Sequence, residues 1–202
     1  MNIVWFKRDL RLFDNEALFR ALEANEQTLL LYIFEPSLLK DHHYSQRHFD
    51  FIKQSLVELQ NQLKPFQTQI LIIESEVVEA FKKINQIQPI STIYSHQETG
   101  IQLTFDRDKA VASLCKKHKI VWNEYITNGV KRGLSNRATW KDDWCEFMDL
   151  PQFPFQPKLN TFLSKDDFET ISSRFKPVSL TTSKNTPFQK GGTSTGMRYL
   201  NS

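Results

Sequence analysis

The sequence predicts an α/β fold: a doubly wound, five-stranded parallel sheet in the order 3-2-1-4-5, flanked by helices and trailing an extended C-terminal arm. Short apolar runs of strand length recur without the apolar–polar alternation of a sheet that has one face in water. Amphipathic helical stretches separate these runs one by one, as strands covered on both faces require. The alternation holds to about Tyr125 and then stops.

Residues 2–6 read as a buried strand, and residues 7–13 as a polar connection. Asp14 is placed to cap a helix that buries Ala17, Leu18, Ala21 and Leu22. Residues 28–34 form a second continuous apolar run. A long helix over 45–63 follows, with Phe49, Ile52, Leu56, Leu59 and Leu63 on one stripe. A third strand is expected over 69–73, then a helix over 76–84 with Val77, Phe81 and Ile84 inward. Residues 91–94 give the fourth strand, 106–118 a helix burying Ala110, Val111, Leu114 and Cys115, and 119–122 the fifth strand. The whole is Rossmann-like in plan.

Beyond it, residues 135–148 read as one more helix with Trp140, Trp144 and Phe147 or Met148 along a face. The stretch 150–185 is rich in Pro, Phe, Ser and Thr and shows no clean periodicity. Such arms seldom fold alone, and its phenylalanines imply that it packs against something. A new helix start is expected in 186–202, where Gly192-Thr193-Ser194-Thr195 leads to Met197-Arg198-Tyr199-Leu200. The expected organisation is an α/β domain over 1–130, a helix and linker over 131–185, and the start of a further helical domain over 186–202. The chain stopping inside that helix points to a larger protein.

Composition narrows the class. The 202 residues are 40% hydrophobic and 24% charged, ordinary for a globular protein, with Phe unusually common at 16. No apolar stretch approaches the roughly 20 residues that cross a bilayer. The N-terminal run Ile3-Val4-Trp5-Phe6 is too short for a signal-peptide core, so a cytoplasmic protein with no membrane contact is expected. Cys115 and Cys145 lack metal spacing and read as reduced packing residues. A net charge of +3 does not identify a nucleic-acid binder. After Glu169, however, the chain carries Arg174, Lys176, Lys184, Lys190 and Arg198 with no acidic residue.

In an open parallel sheet, ligands sit outside the carboxyl ends of the strands where the winding reverses. In the order 3-2-1-4-5 that point lies between strands one and four. It brings Lys7-Arg8-Asp9-Leu10-Arg11 toward His96-Gln97-Glu98-Thr99-Gly100. No glycine precedes Gly100, so the first turn is no GxGxxG loop, and a Walker loop is absent throughout. A site here would use side-chain charge where nucleotide folds use glycine-rich backbone. Two readings stand: a solvated turn whose charges pair locally, and a crevice for a polar, partly anionic small molecule.

These residues also match something specific. Ile3-Val4-Trp5-Phe6-Lys7-Arg8-Asp9-Leu10-Arg11-Leu12, with Asp14-Asn15 and Ala17-Leu18, resembles the opening motif of the DNA photolyase and cryptochrome family. Leu31-Tyr32-Ile33-Phe34-Glu35-Pro36, Tyr94-Ser95-His96-Gln97-Glu98 and Phe105-Asp106-Arg107-Asp108 continue the resemblance in order. Gly191-Gly192, with Gly196 and Leu200, resembles the segment that opens the family's helical domain.

The resemblance implies the N-terminal domain of a light-driven flavoprotein. That domain can hold an antenna chromophore: a folate, a deazaflavin or FMN. FAD and damaged DNA would bind a helical domain that these residues do not include, so this chain alone is not expected to repair DNA. The implied antenna residues are Arg8, Asp9 and Arg11 after strand one, Phe34 and Glu35 after strand two, and Glu98 and Arg107 near strand four. The arginines would pair with anionic groups and Glu98 would accept from ring or amino N–H donors. A photolyase, a cryptochrome photoreceptor without repair activity, and a stand-alone nucleotide-binding protein are the competing functions.

No catalytic or metal residues are expected. His42, His43 and His48 lack an i, i+4 ligand pair. Trp140 and Trp144 read as packing, and the basic tail as a linker lying on the helical domain. An apolar face left for that domain could drive self-association.

Overall fold

A computed structural model describes residues 1–182 and 189–200. Lys184 and the first residues of the expected C-terminal segment lie outside the described residues, as do 201–202. The strands are β1 (Asn2–Phe6), β2 (Thr28–Phe34), β3 (Ile70–Glu74), β4 (Thr92–His96) and β5 (Val121–Tyr125). Between them run α1 (Glu16–Glu23), a short α2 (Pro36–Leu39), α3 (Gln46–Leu63), α4 (Val77–Ile87) and α5 (Gln102–His118). The four pairings among these strands are parallel and the order is β3-β2-β1-β4-β5. Val4 in the central strand is flanked by Leu30 and Tyr94.

The pleat divides the core into two layers. Ile3, Trp5, Leu29, Leu31 and Ile33 face α4 and α5, where Phe81, Ile84, Val111 and Leu114 are buried. Val4, Phe6, Leu30, Tyr32 and Phe34 face α1 and α3, against Leu18, Leu22, Leu56, Leu59 and Leu63. Every residue of β1 and β2 is buried, which is why these strands read as unbroken apolar runs. Each fully buried Leu or Phe contributes about 1.5–3 kcal/mol of transfer free energy. Phe81 adds an edge-on contact to Trp5, with ring centroids 5.4 Å apart.

Several boundaries differ from the sequence expectation. Asn15, not Asp14, caps α1: its side chain accepts from Leu18 N at 3.0 Å. Asp14 sits at φ 53°, in the left-handed region, whereas a capping residue needs extended backbone. Helix α5 begins at Gln102, four residues early, and β5 runs to Tyr125. The next helix, α6 (Trp140–Met148), starts five residues late and buries no side chain completely. Trp140 and Trp144 remain 44% and 38% exposed, so the packing expected of them is partial.

The arm packs on the domain itself. Thr28 N donates to Thr161 O and Leu163 N to Thr28 O, so the arm occupies the gap beyond the start of β3. Phe153 lies against Phe19 and Phe155 against Phe66. A two-turn helix, α7 (Lys165–Ser172), escaped the periodicity reading because it buries only Ile171. Finally α8 (Thr193–Leu200) docks on α3. Gly191 N donates to Gln54 Oε1 at 2.7 Å, and Ser194 N and Oγ donate to Glu58 at 2.9 and 2.7 Å. A side chain at position 191 would collide with the Phe51 carbonyl oxygen, which is the physical demand for glycine there.

Candidate functional site

The carboxyl ends of β1 and β4 diverge as the winding rule requires, and the two charged segments meet across the split. Arg8 Nε lies 3.0 Å from Glu98 Oε1. The approach is off the N–H axis, so this is an ion pair rather than a hydrogen bond, and Glu98 Oε1 stays a buried acceptor without an aligned donor. The other arm of Arg8 donates to Tyr44 Oη at 2.8 Å. Gly100 leaves room for this pair: a Cβ there would stand 2.6 Å from Arg8 Nη2 and 2.8 Å from Glu98 Oε1.

Behind Glu98 the crevice holds a buried charge network. Arg107 donates to Glu35 Oε1 at 2.7 Å and to Asp108 Oδ1 at 2.8 Å, lies 3.7 Å from Glu98 Oε2, and stacks 4.9 Å from the centre of Trp5. Lys7 Nζ sits 3.4 Å from Asp108, 3.6 Å from Glu124 and 4.3 Å from the Trp5 ring. Arg132 closes the outer side, on Asp108, Glu124 and the Glu98 carbonyl. Lys7, Arg8, Arg107 and Arg132 thus face Glu35, Glu98, Asp108 and Glu124, and the charges balance when all are ionised.

Burial decides the protonation equilibria here. It pushes the Glu35 carboxyl up to about 7, against the opposing pull of Arg107. It also draws Lys7 below the usual lysine range, against Asp108 and Glu124. For Arg107 the attraction of Glu35 and Asp108 outweighs burial and raises it. Burial would raise Asp9 too, yet the His96 ring at 2.5 Å and the Lys7 amide at 2.9 Å hold it below the ordinary carboxylate value.

The seven residues singled out in the sequence therefore occupy different places. Arg8, Glu35, Glu98 and Arg107 form one connected cluster, with Phe34 lining the same crevice. Asp9 turns inward, bracing the first turn through His96, Lys7 N and Asn15. Among the described residues Arg11 makes no polar contact with this cluster and is tied to Asp14, its Nε donating to Asp14 O at 2.8 Å. Lys7 and Asp108 sit inside motifs already recognised. Tyr44, Glu124 and Arg132 join from distant loops and strands and carry no local signal.

The crevice between these charges encloses only about 70 Å³. It shares Lys7, Arg8, Tyr44 and Ile52 with an adjoining cavity of about 700 Å³ between the first turn, α3 and α8. Only the second is in the size range of organic ligand pockets, roughly 300–1,000 Å³.

Residues 2–128 match the family model described as DNA photolyase. The chain belongs to the DNA photolyase family. Among photolyase relatives, the deoxyribodipyrimidine photo-lyase of Vibrio cholerae is 30% identical over 130 residues, 62% of this chain and 27% of the relative. Cryptochrome DASH of Synechocystis is 29% identical over 199 residues, 91% of this chain and 36% of its own length. The archaeal photolyase from Sulfolobus tokodaii, a structure with two FAD molecules, superposes with a TM-score of 0.72 at 19% identity, covering all of this chain and 46% of that one.

The chain thus spans about a quarter to a third of these two curated relatives and under half of the solved structure, and it corresponds to the family's N-terminal α/β domain. The family match sets aside a stand-alone nucleotide-binding protein that shares only the fold. Among the described residues, no helix is long and apolar enough to cross a membrane.

Proposed function

We propose that this chain is the antenna-holding domain of a photolyase-type flavoprotein, with the chromophore seated in the 700 Å³ cavity and its polar edge reaching Arg8 and Glu98. The observation that carries this is Glu98 Oε1: a buried carboxylate oxygen without an aligned donor, beside a partly exposed arginine, at the split between β1 and β4. Burying an acceptor in that state costs free energy that a ligand N–H would recover. The residues fit a folate, a deazaflavin or FMN in chemistry, and the cavity fits them in size. A bound antenna would supply excitation energy to a flavin held elsewhere in the whole protein.

The chain's own residues then have distinct tasks. Glu98 accepts from the ring edge, while Arg8, steered by Tyr44, pairs with a carbonyl or anionic group. Arg107, Glu35 and Phe34 form the wall behind them. Asp9 acts as a positioning residue, since its bonds to His96 and Asn15 fix the turn that carries Arg8. In this reading residues 1–130 are the antenna domain, 131–185 the connection, and the segment from 186 the opening of a helical FAD domain. Light-driven repair of pyrimidine dimers in damaged DNA belongs to that whole protein.

The test is to incubate the purified chain with reduced folate, deazaflavin or FMN, desalt it, and record visible absorption. One chromophore should be retained near equimolar ratio, with affinity about tenfold or more weaker in Arg8→Ala and Glu98→Gln, a loss of about 1.4 kcal/mol. Retention of none, or binding unchanged in both variants, refutes the assignment. A cryptochrome photoreceptor is the second reading, favoured by the alignment of Cryptochrome DASH over 91% of the chain. Illuminated full-length protein that leaves pyrimidine dimers intact would select it.

A further inference from the structure

The histidines of the chain stand in different settings. His96 is buried and bonded to Asp9, and His48 closes the capping box of α3 with Ser45. His42 and His43 do neither. They form the turn between α2 and α3, both exposed, with ring centroids 3.9 Å apart. The i, i+4 spacing that a ligand pair needs on a helix does not govern a turn, where the chain bends and carries adjacent rings to one side. Asp41 joins them: its Oδ1 accepts from His43 N at 2.9 Å and lies 2.8 Å from His43 Nδ1.

One donor atom from each of Asp41, His42 and His43 lies within 4.8 Å of the other two. A tetrahedral ion with bonds of about 2.0–2.2 Å spaces its ligand atoms about 3.3–3.6 Å apart, so small rotations of exposed side chains complete the set. Among the described residues, this is the one group of three His, Cys, Asp or Glu side chains that meets in this way. The His42 ring makes no hydrogen bond among the described residues, and its nitrogens remain available. Two imidazoles and one carboxylate suit late first-row ions such as Zn2+, Ni2+ and Cu2+. Mg2+ and Ca2+ require a shell of oxygens that a single carboxylate does not provide.

We infer that Asp41, His42 and His43 form a surface site for a divalent transition-metal ion of the zinc class, with water completing its coordination. The site bears on the crevice through the turn that carries it. Tyr44 N donates to Asp41 O at 3.1 Å, and Tyr44 Oη accepts from Arg8 at 2.8 Å. An ion that joins the Asp41 carboxylate to the next two side chains holds this turn closed and keeps Tyr44 in place against Arg8. The assignment does not depend on the chromophore reading of the neighbouring cavity.

Titration calorimetry of the tag-free 202-residue chain with zinc chloride, in a buffer that does not chelate, tests this. One ion should bind per chain, about tenfold or more weakly in each of His42→Ala, His43→Ala and Asp41→Asn. Mg2+ at the same concentration should give no heat of binding. His118→Ala and Cys145→Ser remove other exposed ligands and should leave the affinity within about twofold. The substituted side chains lie on the surface of a turn or helix end, so an unchanged urea midpoint verifies that each variant is folded.

Amide hydrogen exchange supplies the second reading. Zinc should slow exchange over 41–46 by about threefold or more in the wild type and leave it unchanged in the His42→Ala/His43→Ala double variant. Absence of stoichiometric zinc binding, or binding that the double variant keeps within about twofold, overturns the site. So does binding that is lost in His118→Ala or Cys145→Ser, since the ion then sits elsewhere. Binding lost in the double variant while exchange over 41–46 does not respond to zinc overturns the hold on Tyr44 and upholds the metal site.

Discussion

Replacing Glu35 with glutamine isolates one buried titration in the crevice. The Glu35 carboxyl is almost fully buried and faces Arg107, Glu76 and Asp108, and burial lifts it from its ordinary 4.5 to about 7. A carboxyl raised by that amount corresponds to about 3 kcal/mol, at 1.36 kcal/mol for each pH unit. Below pH 4.5 the group is protonated in both folded and unfolded chains and adds no pH dependence. Between 4.5 and about 7 the unfolded chain releases the proton while the folded one keeps it, so stability falls as pH rises. Above about 7 both are ionised and the loss is complete.

Asp9, whose value is lowered, acts at the other end: its contribution is present above its ordinary 3.8 and lost on further acidification, outside this window. A glutamine in place of Glu35 cannot ionise. Relative to the wild type, Glu35→Gln should therefore gain about 1–3 kcal/mol between about pH 4.5 and pH 8. Urea unfolding followed by tryptophan fluorescence at four or five pH values measures that difference. A difference between the two proteins that stays constant within about 0.5 kcal/mol, or runs in the opposite direction, would refute the burial argument for Glu35.

Other perturbations probe separate layers. Phe81→Ala empties a fully buried site against Trp5 and should cost about 3–5 kcal/mol in the same urea assay. Asn15→Ala removes the cap of α1 and takes a donor from the Arg11 carbonyl and the Asp9 carboxylate, while the Asp9 carbonyl keeps the Arg11 N–H. A loss of about 2 kcal/mol is expected, visible as a lower unfolding midpoint. Gly191→Ala sets a methyl group against the Phe51 carbonyl and should release α8 from α3. Amide exchange in 193–200 should then accelerate, with global stability unchanged within about 0.5 kcal/mol.

The contrast between the two glycine-dependent contacts shows how differently sequence carries information. Gly191 is recognisable in the Gly191-Gly192 pair, but its reason lies in the Phe51 carbonyl, on a helix far away in the chain. Gly100 is an ordinary loop glycine until Arg8 reaches over it from the end of β1. In each case the nearest restricting atom belongs to another element, and no local pattern encodes it. Asn15 shows the same thing on a smaller scale: Asp14 and Asn15 are equally good caps by composition, and the backbone turn after Arg11 decides between them.

By itself the sequence determined the layered sheet, the strand order and the meeting of Lys7–Arg11 with Glu98, because period and burial are written locally and the winding rule converts them into topology. The opening motif likewise pointed to the family. Only the tertiary structure decided which charges are consumed inside the molecule and which remain free. Asp9 and Arg107 are satisfied by His96, Glu35 and Asp108, while Arg47, which no motif marked, lines a cavity with no carboxylate among its described lining residues. Charge pairing depends on distances of a few ångströms between segments far apart in the chain, and those distances exist only once both layers of the core have packed.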